Sequence, residues 1–96
     1  MRISEFQRLI EKTYFERDSA RGMGGTFMWF TEEVGELATA LRTDDKEAMK
    51  GEFADVLAWL CTLASLAGIS MEEAVLKYAR GCPACHKTPC HCSQKS

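Results

Sequence analysis

The sequence lacks any apolar run that approaches the roughly 18 residues needed to span a bilayer. Its N-terminus, MRISEFQRLIEKTYFERDS, is charged throughout and lacks the apolar core of a signal peptide. We therefore expect a soluble, cytoplasmic protein with no membrane partner. An excess of charge of one sign is also missing, because 12 Lys and Arg against 14 Asp and Glu leave a formal net charge of -2. That balance offers no electrostatic footprint for nucleic acid, so we expect none as a partner.

No segment alternates apolar and polar residues as a half-buried strand does, so the sequence predicts an all-α protein. Apolar residues recur at helical spacing in four segments, which predict helices at about 4–17, 26–42, 45–67 and 70–81. The glycine-rich segment 18–25, DSARGMGG, shows no such spacing and predicts a loop. A chain of 96 residues buries a limited core, so we expect oligomerisation or a structural metal to complete it.

Four of the five cysteines lie within residues 82–92, and this clustering favours metal binding over a disulfide scaffold. These cysteines predict a zinc site, with Cys82, Cys85, Cys90 and Cys92 as its ligands. The first three follow zinc-knuckle spacing, but the fourth knuckle position falls at Lys95. Cys92, His86 or His91 must therefore close the site. We accordingly divide the chain into a helical domain, 1–81, and a zinc-binding tail, 82–96.

Acidic residues form pairs on the second and third predicted helices. Each of these helices has an apolar stripe that is expected to be buried; the stripes are Phe27, Phe30, Val34, Leu37 and Leu41 on one helix, and Met49, Phe53, Val56, Leu60, Leu63 and Ala67 on the next. Glu33 and Glu36 flank the first stripe, and Glu52 and Asp55 flank the second at matching angles. If the two helices pack antiparallel, these carboxylates converge at one edge of their interface. A solvated acidic face is the alternative, but such faces carry Lys or Arg four residues away, whereas these acids have apolar residues there.

An all-oxygen site of this kind suits a hard cation, Mg²⁺ or Mn²⁺. A di-iron site would need Glu-x-x-His on two helices, and both histidines lie in the tail. The helical part also offers no Cys/His or Ser/His pair as an activated nucleophile, so direct attack by water is the expected route of any hydrolysis.

The segments EEVGE, at 32–36, and EFAD, at 52–55, together resemble the EExxE…ExxD signature of MazG-like nucleotide pyrophosphohydrolases. The resemblance covers residues 1–81. It implies an all-α, four-helix bundle-like fold completed by assembly into a homodimer or homotetramer. It also implies hydrolysis of a nucleoside triphosphate to monophosphate and pyrophosphate by attack at the α-phosphorus. The Mg²⁺ ligands that it implies are Glu33, Glu36, Glu52 and Asp55.

The resemblance also implies roles for other residues. Glu32 or Glu36 would orient or deprotonate the attacking water, although Glu32 lies opposite the apolar stripe, where an ordinary solvent-facing acid would lie. Lys77 leads the basic residues available to bind phosphate; the others are Arg21, Lys50 and Arg80. Spacing to the acids, and not the resemblance, marks two aromatic residues: Trp29 precedes Glu33 by four residues, and Trp59 follows Asp55 by four. Their rings would either line a base pocket or pack in the core. The alternative function is a non-catalytic helical dimerisation module with a zinc knuckle for protein interactions.

Overall fold

The structure is a computed structural model that describes residues 1–93, so the last three residues of the predicted tail lie outside the described part. Every regular element among these residues is helical, as the sequence predicted. The elements are α1 (Ile3–Thr43), α2 (Lys46–Leu66), α3 (Met71–Ala74) and a 3-10 helix (Val75–Tyr78).

The predicted loop at 18–25 is wrong, because α1 stays helical there except at Gly22, where φ is 80° and ψ is 176°. A straight helix of 41 residues would be about 60 Å long. The longest dimension of the molecule is 44 Å, so α1 bends at this glycine. Gly22 thus divides α1 into an N-terminal arm, 3–21, and a C-terminal arm, 23–43. Asp18 and Thr26 are buried on either side of the bend. Their tertiary packing stabilises helix there, although the local sequence alone predicts a loop.

The predicted third helix agrees with α2. Asp45 caps its first turn, and its carboxylate accepts hydrogen bonds from the backbone N–H groups of Glu47 and Ala48, both at 3.1 Å. The connection from α1 is tight because Asp44 adopts a left-handed conformation with φ of 58°. Beyond Leu66, Gly68 turns the chain with φ of 75°.

The fourth predicted helix is shorter and less regular than expected. Ser70 caps it, since its hydroxyl accepts a hydrogen bond from Glu73 N–H at 3.2 Å. The α-helix nevertheless ends at Ala74 and gives way to the 3-10 helix. Val75 and Leu76 are exposed there. Without an apolar surface to pack against, this short segment gains little of the tertiary support that sustains longer helices.

The helices α1 and α2 pack antiparallel. Gln7, near the start of α1, donates a hydrogen bond to Ser65 Oγ at 3.1 Å, whereas Glu33, later in α1, approaches Glu52, early in α2. Within residues 1–93, Ala40 and Cys61 are the only apolar residues that are buried. The protomer is therefore a bent helical hairpin with a short third helix, and not a closed four-helix bundle.

Much of each predicted apolar stripe lies on the surface. In the C-terminal arm of α1, Phe27, Val34 and Leu41 are exposed, and in α2, Phe53 and Leu60 are exposed. The positions that face α2 from this arm lie to one side of the stripe, at Thr26, Glu33 and Ala40, which are buried or half-buried.

Within residues 1–93, no single helix is long and apolar enough to cross a membrane. Taken together, α2 and Met71–Tyr78 have the length and apolar composition of a bent membrane-crossing pair, with an angle of 98° between them. Length and composition are the only features that they share with such a pair.

Candidate active site

Three of the four predicted magnesium ligands meet between α1 and α2. Each of Glu33, Glu36 and Glu52 offers a carboxylate oxygen, and these oxygens lie within 4.8 Å of one another. Glu33 and Glu36 are one turn apart on the C-terminal arm of α1, and Glu52 lies in the second turn of α2. We call these three residues the acid cluster. Glu33 and Glu52 are half-buried, whereas Glu36 is exposed.

The fourth predicted ligand, Asp55, lies beside the acid cluster. It is exposed and is not part of the compact group, although its charge helps to raise the pKa of both Glu33 and Glu52. Glu32 is also exposed, and its charge contributes the smallest of the effects that raise the pKa of Glu33. Asp55 therefore lies at the edge of the cluster, and Glu32 lies at its periphery.

The acid cluster is electrostatically unfavourable without a cation. Glu33 and Glu52 each bury an Oε2 atom that accepts no hydrogen bond from the described residues. Burial raises the pKa of both carboxyls above the ordinary value of 4.5, and the neighbouring charge of Glu36 raises both further. Buried carboxylate oxygens that lack donors fit a hard cation, which prefers oxygen ligands.

A cavity of about 240 Å³ opens next to the acid cluster, between the N-terminal arm of α1 and α2. Asp55 belongs to its wall and so links it to the acids. The full lining is Ile10, Tyr14, Arg17, Asp18, Arg21, Asp55, Ala58, Trp59 and Thr62. Sequence reasoning missed Tyr14 and Arg17, because neither belongs to the acidic motif and both read as ordinary residues of an amphipathic helix.

Trp59, which stacks on Trp29, and the cation of Arg21 form one side of this cavity. The rings of Trp29 and Trp59 stack with centroids 6.1 Å apart and an interplanar angle of 13°. The guanidinium carbon of Arg21 lies 4.8 Å from the centroid of the Trp59 ring, a cation-π contact. Trp59 lines the cavity, whereas Trp29 is 48% exposed and supports Trp59 from outside.

A buried polar network fixes Arg21 in this position. Arg21 Nη1 donates to Asp18 Oδ1 at 3.0 Å and to Thr26 Oγ1 at 3.2 Å, and Thr62 Oγ1 donates to Asp18 Oδ2 at 3.4 Å. The network therefore ties both arms of α1 to α2 across the bend at Gly22. Sequence reasoning missed Asp18, because it placed this residue in a loop.

Gly25 provides the room that Arg21 needs. A Cβ atom at this position would lie 2.7 Å from Arg21 Cγ, which is too close for a side chain. The glycines of the predicted loop thus serve two purposes, since Gly22 allows the bend and Gly25 admits the stem of Arg21.

A family model described as the MazG nucleotide pyrophosphohydrolase domain matches residues 24–87, two thirds of the chain. The chain belongs to the MazG family. Members of this family are nucleoside triphosphate pyrophosphohydrolases. The MazG match contains the acid cluster and Asp55, and it begins after the N-terminal arm that carries Arg21. A search of curated proteins gives no match.

Lys77 lies within the MazG match but away from the cavity. It is exposed on the 3-10 helix, and its Nζ lies 5.5 Å from the centroid of the Tyr78 ring. It is not among the residues that line the cavity. The structure therefore brings Arg21 and Trp29 toward the site, and it does not bring Lys77 there within one chain.

The four tail cysteines, which follow the MazG helices, converge on one point. Their sulfur atoms lie within 4.8 Å of one another, and none is in a disulfide. Backbone hydrogen bonds from Cys85 and Ala84 lower the pKa of Cys82 to about 6. Hydrogen bonds with Cys90 and Cys82 raise the pKa of Cys92 to about 12. His86 and His91 are exposed and do not belong to this group.

Proposed function

We propose that the protein hydrolyses nucleoside triphosphates to nucleoside monophosphate and pyrophosphate, by direct attack of water on the α-phosphorus. The observation that carries the proposal is the acid cluster, in which two buried carboxylate oxygens have no hydrogen-bond donor among the described residues. Membership of the MazG family supports the reaction class.

Mg²⁺, or Mn²⁺ in its place, is the cation that this donor set favours, because every ligand is a carboxylate oxygen. Glu33, Glu36 and Glu52 would hold it, with Asp55 joining from the next turn of α2. When bound, the ion would supply neutralisation of phosphate charge and polarisation of a phosphoryl oxygen.

The chain itself offers carboxylates to orient the water. Glu36 belongs to the acid cluster and is exposed, so it is the better placed of the two proposed bases, and Glu32 is the second. As the water oxygen bonds to the α-phosphorus, the bond to the bridging oxygen of pyrophosphate breaks, and the proton passes to this carboxylate. A cysteine nucleophile is disfavoured because Cys61, the one cysteine of residues 1–81, is fully buried.

The cavity beside Asp55 is the proposed site for the nucleoside. At about 240 Å³ it is smaller than the roughly 300–1,000 Å³ typical of whole-ligand pockets, so it suits the base or sugar and leaves the phosphates at the acids. Tyr14 and Trp59 offer aromatic surface, with Trp29 behind Trp59. Arg21 offers a fixed cation. Lys77 is proposed as a further phosphate ligand from the family resemblance alone.

We propose a homodimer or homotetramer as the active form, with a second copy covering the apolar faces of α1 and α2. The accessible surface is 7179 Å², whereas a compact monomer of 10.8 kDa exposes about 5,500 Å². The excess of roughly 1,600 Å² exceeds the about 800 Å² that each partner buries in a standard interface. Exposed residues at helical spacing on α2, Phe53, Leu57 and Leu60, give that surface its apolar character.

Incubation with a panel of ribo- and deoxyribonucleoside triphosphates, with and without Mg²⁺, tests the proposal. We expect Mg²⁺-dependent release of pyrophosphate from at least one nucleotide, and its loss in Glu52→Gln. Glu47→Gln is the matched control, because Glu47 is an exposed acid of α2 that pairs with Lys50 at 3.6 Å. No hydrolysis of any nucleotide would favour the alternative, a non-catalytic dimerisation and zinc-knuckle module.

A further inference from the structure

We propose that Cys82, Cys85, Cys90 and Cys92 bind one structural zinc ion through four thiolates, with no histidine ligand, and that this ion folds the tail. The proposal is independent of the hydrolytic reaction, because it concerns residues outside the acid cluster and its cavity.

The sulfur positions match a tetrahedron around zinc. With Zn–S bonds of about 2.3 Å, the sulfurs of a tetrahedral site lie about 3.8 Å apart. In the structure, Cys82 and Cys92 Sγ are 3.7 Å apart, Cys85 and Cys90 Sγ are 3.9 Å apart, and Cys90 and Cys82 Sγ are 3.6 Å apart. A disulfide would bring two sulfurs to about 2.05 Å, and none of these pairs approaches that distance.

The same geometry selects the fourth ligand, which the sequence left open among Cys92, His86 and His91. The sulfur of Cys92 belongs to the compact group, and neither imidazole does. His91 instead contributes its backbone, since its N–H donates to Cys85 Sγ at 3.3 Å. His86 contributes a turn, with φ of 58° and its N–H donating to Cys82 O at 2.6 Å.

Backbone N–H groups surround the sulfurs as they do in thiolate metal sites. Besides His91 N–H, the N–H of Cys92 donates to Cys90 Sγ at 3.3 Å. Hydrogen bonds of this kind orient metal ligands and stabilise their negative charge. Four negative sulfurs within 4.8 Å of one another would repel strongly, so a divalent cation at their centre is the complement of the arrangement.

The backbone on either side of the cluster closes tightly. The N–H of Cys82 donates to Lys87 O at 3.1 Å, and Gly81 adopts φ of 90°. A Cβ at Gly81 would clash with Thr88 Oγ1 and would lie 2.8 Å from Lys87 O. Gly81 therefore permits the chain to return on itself and bring the later cysteines to Cys82.

The tail has no apolar core that would hold this loop closed. Residues 82–93 contain no Leu, Ile, Val, Met or aromatic residue. Metal coordination can supply the folding free energy that burial does not, as in small zinc modules. Four thiolates also leave no open coordination position, which makes the ion structural and not catalytic.

Elemental analysis of the purified full-length protein tests the assignment. We expect about one zinc ion per chain, and a loss of most of that zinc in each of Cys82→Ser, Cys85→Ser, Cys90→Ser and Cys92→Ser. His86→Ala and His91→Ala should retain the zinc. Cys61→Ser should retain it as well, and it serves as the control because it replaces a free cysteine outside the tail, buried in α2. Far-UV circular dichroism of every variant should keep the α1–α2 signal, because the tail lies outside that hairpin.

A second measurement needs no variant. Titration of the native protein with a mercurial should release its zinc as the tail thiols react, and cobalt substituted for zinc should show thiolate charge-transfer absorption. Zinc loss in either histidine variant comparable to that in the cysteine variants would overturn the four-thiolate assignment. Tail cysteines isolated as disulfides, iron in place of zinc, or zinc lost in Cys61→Ser would overturn it as well.

Discussion

Glu33 and Glu52 approach each other across the α1–α2 interface, and each buries an Oε2 atom that accepts no hydrogen bond from residues 1–93. The Lys and Arg ion pairs of the described chain involve other acids, namely Asp18, Asp44 and Glu47. The two carboxylates are thus placed together, and no cation from residues 1–93 pairs with either of them. This arrangement is unfavourable for stability in isolation and favourable for binding a divalent cation.

Removing one charge from the acid site should abolish turnover without unfolding the protein. We expect Glu52→Gln and Asp55→Asn to lose more than about nine tenths of the wild-type rate, because each replaces a charged oxygen ligand by an amide. Their melting temperatures should equal or exceed that of the metal-free wild type, since each change relieves like-charge repulsion. Rates and thermal melts on the same preparations, with Glu47→Gln as control, measure both effects. Near-normal rates in both variants would remove these residues from the metal site.

The raised pKa values of Glu33 and Glu52 predict a pH-dependent effect of Mg²⁺ on stability. Both carboxyls would titrate near 4.5 in the unfolded chain and at higher pH in the folded protein. The stability that their protonation contributes is therefore fully present below 4.5 and is lost as pH rises through the raised folded values. Mg²⁺ binds the ionised carboxylates in place of the protons, so its stabilising effect should increase as pH rises from 4.5 through the raised folded pKa values of Glu33 and Glu52.

Thermal melts from about pH 4 to about pH 8, with and without Mg²⁺, measure this linkage. In Glu33→Gln, the melting temperature should depend less on pH than in the wild type, and Mg²⁺ should raise it less. A Mg²⁺ effect of the same size at both ends of the range would contradict the prediction.

Adding a methyl group at Gly25 should displace Arg21 from the cavity. The new Cβ would lie 2.7 Å from Arg21 Cγ, whereas a Cβ at Gly24 meets nothing within 4 Å. For Gly25→Ala we expect KM to rise roughly five- to tenfold, as the loss of a cationic contact worth on the order of 1 kcal/mol implies. Gly24→Ala should leave KM unchanged and stabilise the helix by up to about 1 kcal/mol. Identical kinetics in the two variants would show that Arg21 does not act on the substrate.

A charge on the exposed face of α2 should weaken the assembly. Phe53 is 55% exposed in the single chain, and we expect a second copy to cover it. Phe53→Asp should shift the protein toward monomer in light scattering and reduce its activity, while Lys46→Glu, a charge change at an exposed site, should leave the oligomer intact. A wild-type monomer with full activity would exclude the proposed assembly.

Helical periodicity carried the prediction of the acid cluster. It placed Glu33 and Glu36 beside one stripe and Glu52 beside the next, and the structure brings oxygens of all three together. Periodicity also predicted that Phe27 and Val34 would be buried, yet both are exposed in the protomer. A stripe in the sequence shows that a face must be covered, and it does not show whether the cover comes from the same chain.

Apart from Arg21, the N-terminal side of the site was not predicted from the sequence. Asp18 belongs to a glycine-rich segment whose local pattern favours a loop, but contacts with Thr62 and Arg21 bury it in a helix. Tertiary contacts of this kind outweigh local propensity, and nothing in the spacing of residues 18–25 reveals them. The cysteine-rich tail, by contrast, was predicted from the sequence, because the spacing of its cysteines was sufficient to predict that their side chains converge.

Hydrolysis in ¹⁸O-water with a preferred triphosphate tests the central claim most directly. Attack at the α-phosphorus forms the new P–O bond in the nucleoside monophosphate, so mass spectrometry should find the label there and none in pyrophosphate. Label in pyrophosphate would mean attack at the β-phosphorus, and release of single orthophosphate would mean removal of the γ-phosphate. Either result would contradict the proposed reaction, even if Mg²⁺ binds at the acid cluster.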